Sequence, residues 1–191
     1  MSLKKKSVLR DWVESIIVAF LLAMVIRAFV VQAFKIPTGS MRMTLLEGDL
    51  ILVNKFIYGA KVPFMNLRLP ALREPKRGDV LVFIYPEDKD KDFIKRLVGL
   101  PGETVEIKGG SIYINDKPAQ EPVFNRIYYY NRGDFGAEGQ KITVPKDSYF
   151  VLGDNSASSK DSRYWGFVPK DNLLGKALIV YWPLSRMRAI K

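Results

Sequence analysis

The chain has 191 residues, 48% of them apolar, with 30 Lys or Arg against 20 Asp or Glu for a formal net charge of +10, and it contains no cysteine and no histidine. A disulfide framework, a thiolate nucleophile, a Cys-ligated metal and a Ser-His-Asp triad are therefore excluded, so a hydrolytic base must be Lys, Asp, Glu or Tyr. Apart from KKK at 4–6, the basic residues interleave with acids, as in PEDKDKDFIKR (86–96). That pattern speaks against a nucleic-acid partner and for attraction to anionic lipid.

The first predicted element is an apolar run from Ile16 to Phe34, nineteen residues broken only by Arg27 and Gln32. At about 1.5 Å per residue, a helix of this length approaches the thickness of a bilayer core of about 30 Å. Lys4, Lys5, Lys6 and Arg10 precede it, so residues 1–34 are predicted to be a cytoplasmic N-terminus and one transmembrane helix. A cleaved leader is disfavoured because no A-x-A pattern follows the run up to residue 40. A buried core helix is the other reading, since Arg27 and Gln32 shorten the clean stretch.

Beyond the run, Gly, Pro and Asp recur between short β-rich segments: 49–56, 79–85, 93–100, 104–115, 141–144, 148–153 and 176–182. The remainder is predicted to be mainly β, as a barrel or sandwich. Gly109-Gly110, flanked by alternating apolar residues, predicts a tight hairpin. The segments GDLILV and GDVLVF read as two similar turns leading into strands. RIYYYNR (126–132) could stack bases, but reads better as an aromatic strand or loop.

In FKIPTGSMRMTL (34–45), Ser40 follows directly on the apolar run. A serine hydroxyl is a weak nucleophile until a neighbour takes its proton, and lysine can replace histidine in that task. In FIKRLVG (93–99), alternation puts Phe93, Lys95 and Leu97 on one face and Ile94, Arg96 and Val98 on the other, so one cation should point inward. Arginine keeps its proton, whereas a desolvated lysine can lose it near neutral pH. The candidate base is therefore Lys95, although both cations could also reach solvent from an edge strand.

Three segments together resemble the type I signal peptidases of bacteria: PTGSMRMTL (37–45), KRLVGLPGE (95–103) and GDNSASSKDSRYWGFVP (153–169). The resemblance implies a membrane-bound Ser-Lys endopeptidase, without a cofactor or metal, that removes signal peptides after A-x-A. Its fold would be a β domain of the signal-peptidase and repressor-protease type over 35–103 and 148–191, with a β-rich insert over 104–147. It further implies Ser40 as nucleophile, Lys95 as general base, and an oxyanion hole made by the Thr38 hydroxyl and the Ser40 N–H. Ser159 would orient the lysine, Asp161 and Arg163 would form a supporting ion pair, and Gly153 and Asp154 would start the loop that carries them. The expected unit is a monomer at the cytoplasmic membrane, its catalytic domain on the outer face, whose partners are preproteins and lipid. Two departures stand out: Met43 where the family usually has proline, and the uncharged SAS at 156–158. A self-cleaving repressor-type protease would lack the apolar run, and an anchored peptide-binding domain without catalysis is the rival from another class.

Overall fold

A computed structural model of the chain describes residues 8–62 and 67–191. The first helix, α1, covers Val8–Val25, followed by a π-helical turn at Ile26–Val30 and strand β1 at Val31–Lys35. The single helical span expected from Ile16 to Phe34 is therefore corrected. The helix begins earlier, taking in Arg10, Asp11 and Glu14, and stops sooner, because residues 31–35 hydrogen-bond to the next strand instead. Among the described residues no helix is long and apolar enough to cross a membrane. The lysines at 4–6 lie outside the described residues. Even so, Ile16, Val18, Phe20 and Leu22 on α1 are all more than half exposed.

Every predicted β segment forms a strand. These are β2 (Leu50–Asn54), β3 (Val80–Ile84), β4 (Asp92–Gly99), β5 (Thr104–Lys108), β6 (Ser111–Ile114), β8 (Lys141–Thr143), β9 (Ser148–Leu152) and β11 (Leu173–Trp182). Short strands β7 (Lys117–Pro118), β10 (Val168–Pro169) and β12 (Arg188–Ala189) complete the set. One antiparallel sheet runs β1-β2-β11-β3-β4-β9-β10, with β12 alongside β11, and a second runs β7-β6-β5-β8. The second sheet thus comes wholly from residues 104–143.

Side-chain alternation explains how the large sheet is covered on both faces. On β3, Val80 and Val82 enter one core with Ile51, Val53 and Val180, while Leu81 and Phe83 enter another with Leu97, Tyr149 and Leu173. On β9, Tyr149 and Val151 join the latter core, whereas Phe150 and Leu152 pack with Val105, Ile107 and Ile112 from the second sheet and with Tyr129 from the loop between β7 and β8. The two sheets therefore share a core.

Turn chemistry follows the sequence. Gly109 and Gly110 both adopt positive φ, 57° and 79°, as the tight hairpin between β5 and β6 requires. The two Gly-Asp pairs make the same device. Gly48 and Gly78 have φ of 89° and 87°, and the following Asp49 and Asp79 accept backbone N–H bonds from Leu46 and Lys76 at 2.9 Å each.

Candidate active site

The site lies where three stretches converge: the turn after β1, the middle of β4 and the loop after β9. Ser40 sits in a short 3-10 turn, Gly39–Met41, that is closed further on by Thr44 N–H and Leu45 N–H donating to the Met41 carbonyl. Met43, where proline was expected, is largely exposed and takes no part in that closure. The turn is also held from across the site: Asn155 N–H donates to the Ser40 carbonyl and Asn155 Nδ2 to the Gly39 carbonyl, both at 2.9 Å.

Lys95 and Arg96 are both buried, so the expectation that one cation points inward understates the case. Lys95 Nζ lies 2.8 Å from Ser40 Oγ and 3.0 Å from the Ile94 carbonyl oxygen. Burial pushes its pKa down to about 8, against an upward pull from Asp161 and Asp154. An amine in this state has a lone pair free to accept the serine O–H while one of its own N–H groups donates to Ile94.

Arg96 is matched instead to Asp154, with Nε and Nη2 donating at 2.8 and 2.6 Å and both side chains fully buried. Thr44 Oγ1 donates to the same carboxylate at 2.5 Å. The Asp161–Arg163 pair is equally enclosed: Nε and Nη2 of Arg163 each donate to Asp161 at 2.8 Å. Asp161 also accepts the Gly153 N–H at 3.0 Å, tying the pair to the start of the loop. Each of these carboxylates is neutralised by its own arginine, which leaves Lys95 as the unpaired buried cation at the site that desolvation acts upon.

Arg163 reaches further. Nη1 donates to the Tyr130 carbonyl and to Ser156 Oγ, and Nη2 to the Ser156 carbonyl. Ser156 Oγ in turn accepts the Tyr130 N–H at 3.0 Å. The uncharged SAS thus supplies its own hydrogen bonds, and the loop at 127–136 clamps the supporting arginine. Gly133 makes this close approach possible, since a Cβ there would lie 2.2 Å from the Arg163 carbonyl oxygen.

Two predicted residues stand apart from their expected contacts. Ser159 Oγ is buried without a hydrogen-bond partner, so it does not hold Lys95 in this structure; the amine's bonds go to Ser40 and Ile94. Its position is nonetheless central, because a Cβ on Gly153 would lie 2.1 Å from Ser159 Oγ and 2.6 Å from the Ser40 carbonyl oxygen. Thr38 is exposed, in extended backbone with φ −134° and ψ 156°, immediately before the serine turn. Sequence reasoning missed Asn155, Ser156 and Arg96. For Arg96 the signal was present, a cation on the opposite strand face, but its partner 58 residues away was not visible.

On the strand that carries Lys95 and the chain that leads to Ser40, a shallow groove of about 30 Å³ is lined by residues 34–37 and 92–94 with Ile51 and Val82, its charged members being Lys35 and Asp92. It suits a small apolar side chain and little more. Among the described residues no cluster of three or more carboxylates could hold a metal ion.

The family model described as signal peptidase, peptidase S26, matches residues 9–182. A signal peptidase I of Pseudomonas aeruginosa is 35% identical over 219 residues, an alignment that covers 97% of this chain and 77% of that protein. The signal peptidase I P of Bacillus subtilis subsp. natto is 35% identical over 201 residues, covering 98% and 96%. A crystal structure of a signal peptidase I from Enterococcus faecalis V583 has 35% sequence identity and a TM-score of 0.43, covering 56% of this chain and 98% of that one.

Proposed function

Because the chain belongs to the signal peptidase family, peptidase S26, whose members are serine endopeptidases acting on signal peptides, we propose that Ser40 and Lys95 are its catalytic dyad. The observation that carries this reading is the 2.8 Å contact between a buried lysine amine and a serine hydroxyl.

Uncharged Lys95 accepts the Ser40 proton as Oγ attacks the scissile carbonyl, and the resulting ammonium donates that proton to the departing amine. Water then cleaves the acyl-enzyme with Lys95 again as base. The developing oxyanion is met by the Ser40 N–H and the Thr38 hydroxyl, and in related hydrolases one such donor is worth about 3 to 4 kcal/mol. Asn155 serves this step indirectly, because its two bonds fix the turn that aims the Ser40 N–H. Ser159 orients Lys95 by rotating its free hydroxyl toward Nζ when the amine is charged.

Substrate lies extended along β4, with small residues such as alanine in the shallow groove, which gives the A-x-A preference. The exposed apolar side chains of α1 rest in lipid, holding the catalytic domain at the outer face of the cytoplasmic membrane. Preprotein cleavage by Ser40→Ala and Lys95→Ala in detergent tests the dyad. Both variants are expected to lose at least about a thousandfold in rate. Undiminished processing by either removes that residue from the mechanism. Carbonate extraction tests attachment, where recovery in the soluble fraction would contradict the lipid contact.

A further inference from the structure

The Arg132 side chain of RIYYYNR and the lysine inside SASSKDSR belong to neither the dyad nor its support, yet they meet at one surface. Arg132, Ala157, Ser158, Ser159, Lys160 and Tyr164 line an open depression of about 420 Å³. Ser159 forms one wall, and the clash distances at Gly153 put it next to the Ser40 carbonyl, so the depression adjoins the nucleophile. The small apolar groove is built from other residues, 34–37 on the chain before Ser40 and 92–94 on the chain before Lys95.

An aromatic wall connects the dyad to the depression. Lys95 Nζ is 5.2 Å from the Phe93 ring, Phe93 stacks on Tyr85 at 4.3 Å, and Lys160 Nζ is 5.6 Å from the Tyr85 ring. An extended chain advances about 3.3 Å per residue, so about five residues beyond the scissile bond cover that path, and the side chain of the third or fourth reaches toward its far end.

The depression is basic. Arg132 is fixed in place, with Nη1 donating to the Ala157 carbonyl at 2.7 Å and its guanidinium 5.2 Å from the Tyr130 ring, and it has no carboxylate partner among the described residues. Lys160 faces Glu87 at 3.4 Å, but both side chains are more than half exposed, so that pair is weak and easily exchanged. Glu87 is held besides by a short hydrogen bond from Tyr85 Oη.

We propose that this depression receives the start of the released chain, and that Arg132 and Lys160 select preproteins with an acidic side chain three to five residues after the cleavage point. The inference rests on the proposed dyad and adds to it a preference on the leaving side. A carboxylate there replaces Glu87 at Lys160 and gives Arg132 a counter-ion, whereas a lysine meets two cations.

The test uses the full-length protein in detergent and three peptides that share one signal sequence and carry Asp, Asn or Lys at the fourth position after the scissile bond. For the unaltered protein, kcat/KM for Asp over Lys is expected to be about three- to tenfold at low salt, falling toward one at about 0.5 M salt. Lys160→Gln should lower the ratio, Lys160→Glu should invert it, and Glu87→Gln should raise it. Arg132→Gln also removes a loop hydrogen bond, so the Lys160 and Glu87 variants are the decisive ones. A ratio near one, or one that the Lys160 and Glu87 changes leave unmoved, overturns the proposal while cleavage of all three peptides leaves the dyad standing. Absence of cleavage of any peptide, in a protein that unfolds cooperatively, instead overturns the dyad and this inference with it.

Discussion

Replacing Asp154 by alanine removes the carboxylate hydrogen-bonded to a fully buried arginine. Arg96 would keep the Gly78 carbonyl at 2.7 Å, the Lys191 backbone oxygen at 3.1 Å and Thr44 Oγ1 at 3.0 Å, and lose both bonds to the Asp154 carboxylate. Stranding one partner of a buried pair costs about 3 to 5 kcal/mol, a large share of a domain stability of about 5 to 15 kcal/mol. With a urea dependence of about 2 kcal/mol per M, the unfolding midpoint should fall by about 2 M. A second readout has its own sign. Asp154 pulls the Lys95 pKa upward, so its removal lowers that pKa, and the acid limb of the cleavage profile should move to lower pH. The double variant Arg96→Leu with Asp154→Ala should recover much of the lost stability, because no charge is then stranded. A midpoint shift under about 0.5 M, or an acid limb displaced to higher pH, would show that Asp154 neither supports Arg96 nor acts on Lys95 in this way.

Three further outcomes follow from the geometry. Gly153→Ala places a methyl 2.6 Å from the Ser40 carbonyl oxygen and should displace the nucleophile turn, lowering kcat at least about a hundredfold in a protein that still folds; near-normal kcat would show the turn to be compliant. Ser159→Ala removes a buried hydroxyl that makes no hydrogen bond, so stability should change by less than about 0.5 kcal/mol while kcat falls about tenfold, and an unchanged kcat would remove Ser159 from the mechanism. At Asp79, burial raises the pKa but bonds from Arg73, Lys176, the Lys76 N–H and Tyr58 outweigh it, bringing it down to about 2 from 3.8. The depressed value contributes about 2 kcal/mol that is fully present above about pH 4 and is lost as pH falls through about 2. Acid titration of stability should show this drop in the unaltered protein and lack it in Asp79→Asn.

Much of this architecture was legible because strand alternation and turn residues are local. Each β run, the Gly109-Gly110 hairpin and the paired Gly-Asp turns depend on neighbours within a few residues. Lys95 was legible for a different reason: a cation in an apolar strand must either escape to water or be desolvated. The first apolar run misled because apolar length alone does not fix conformation. Residues 31–34 close the apolar run, yet the backbone of 31–35 pairs with Leu50–Asn54 at the sheet edge, a contact made across about 20 residues of sequence. Arg96, Asn155 and Ser156 were missed because their partners are set by the fold. Arg96 meets Asp154, Asn155 meets Gly39, and Ser156 meets Arg163 and Tyr130 only once the sheet has formed. The resemblance supplied Ser159 as the orienting residue, but the local packing leaves its hydroxyl beside Gly153 rather than on the amine.

Catalysis by this dyad requires one buried amine to be uncharged within reach of Ser40. Nitrogen-15 NMR of the lysine-labelled protein, assigned by comparison with Lys95→Met, follows that amine directly through its titration. Lys95 should titrate with a midpoint of about 8, matching the acid limb of the cleavage profile. A Lys95 midpoint at the ordinary value of 10.5 would contradict the dyad, since the serine would then face an ammonium throughout the working pH range.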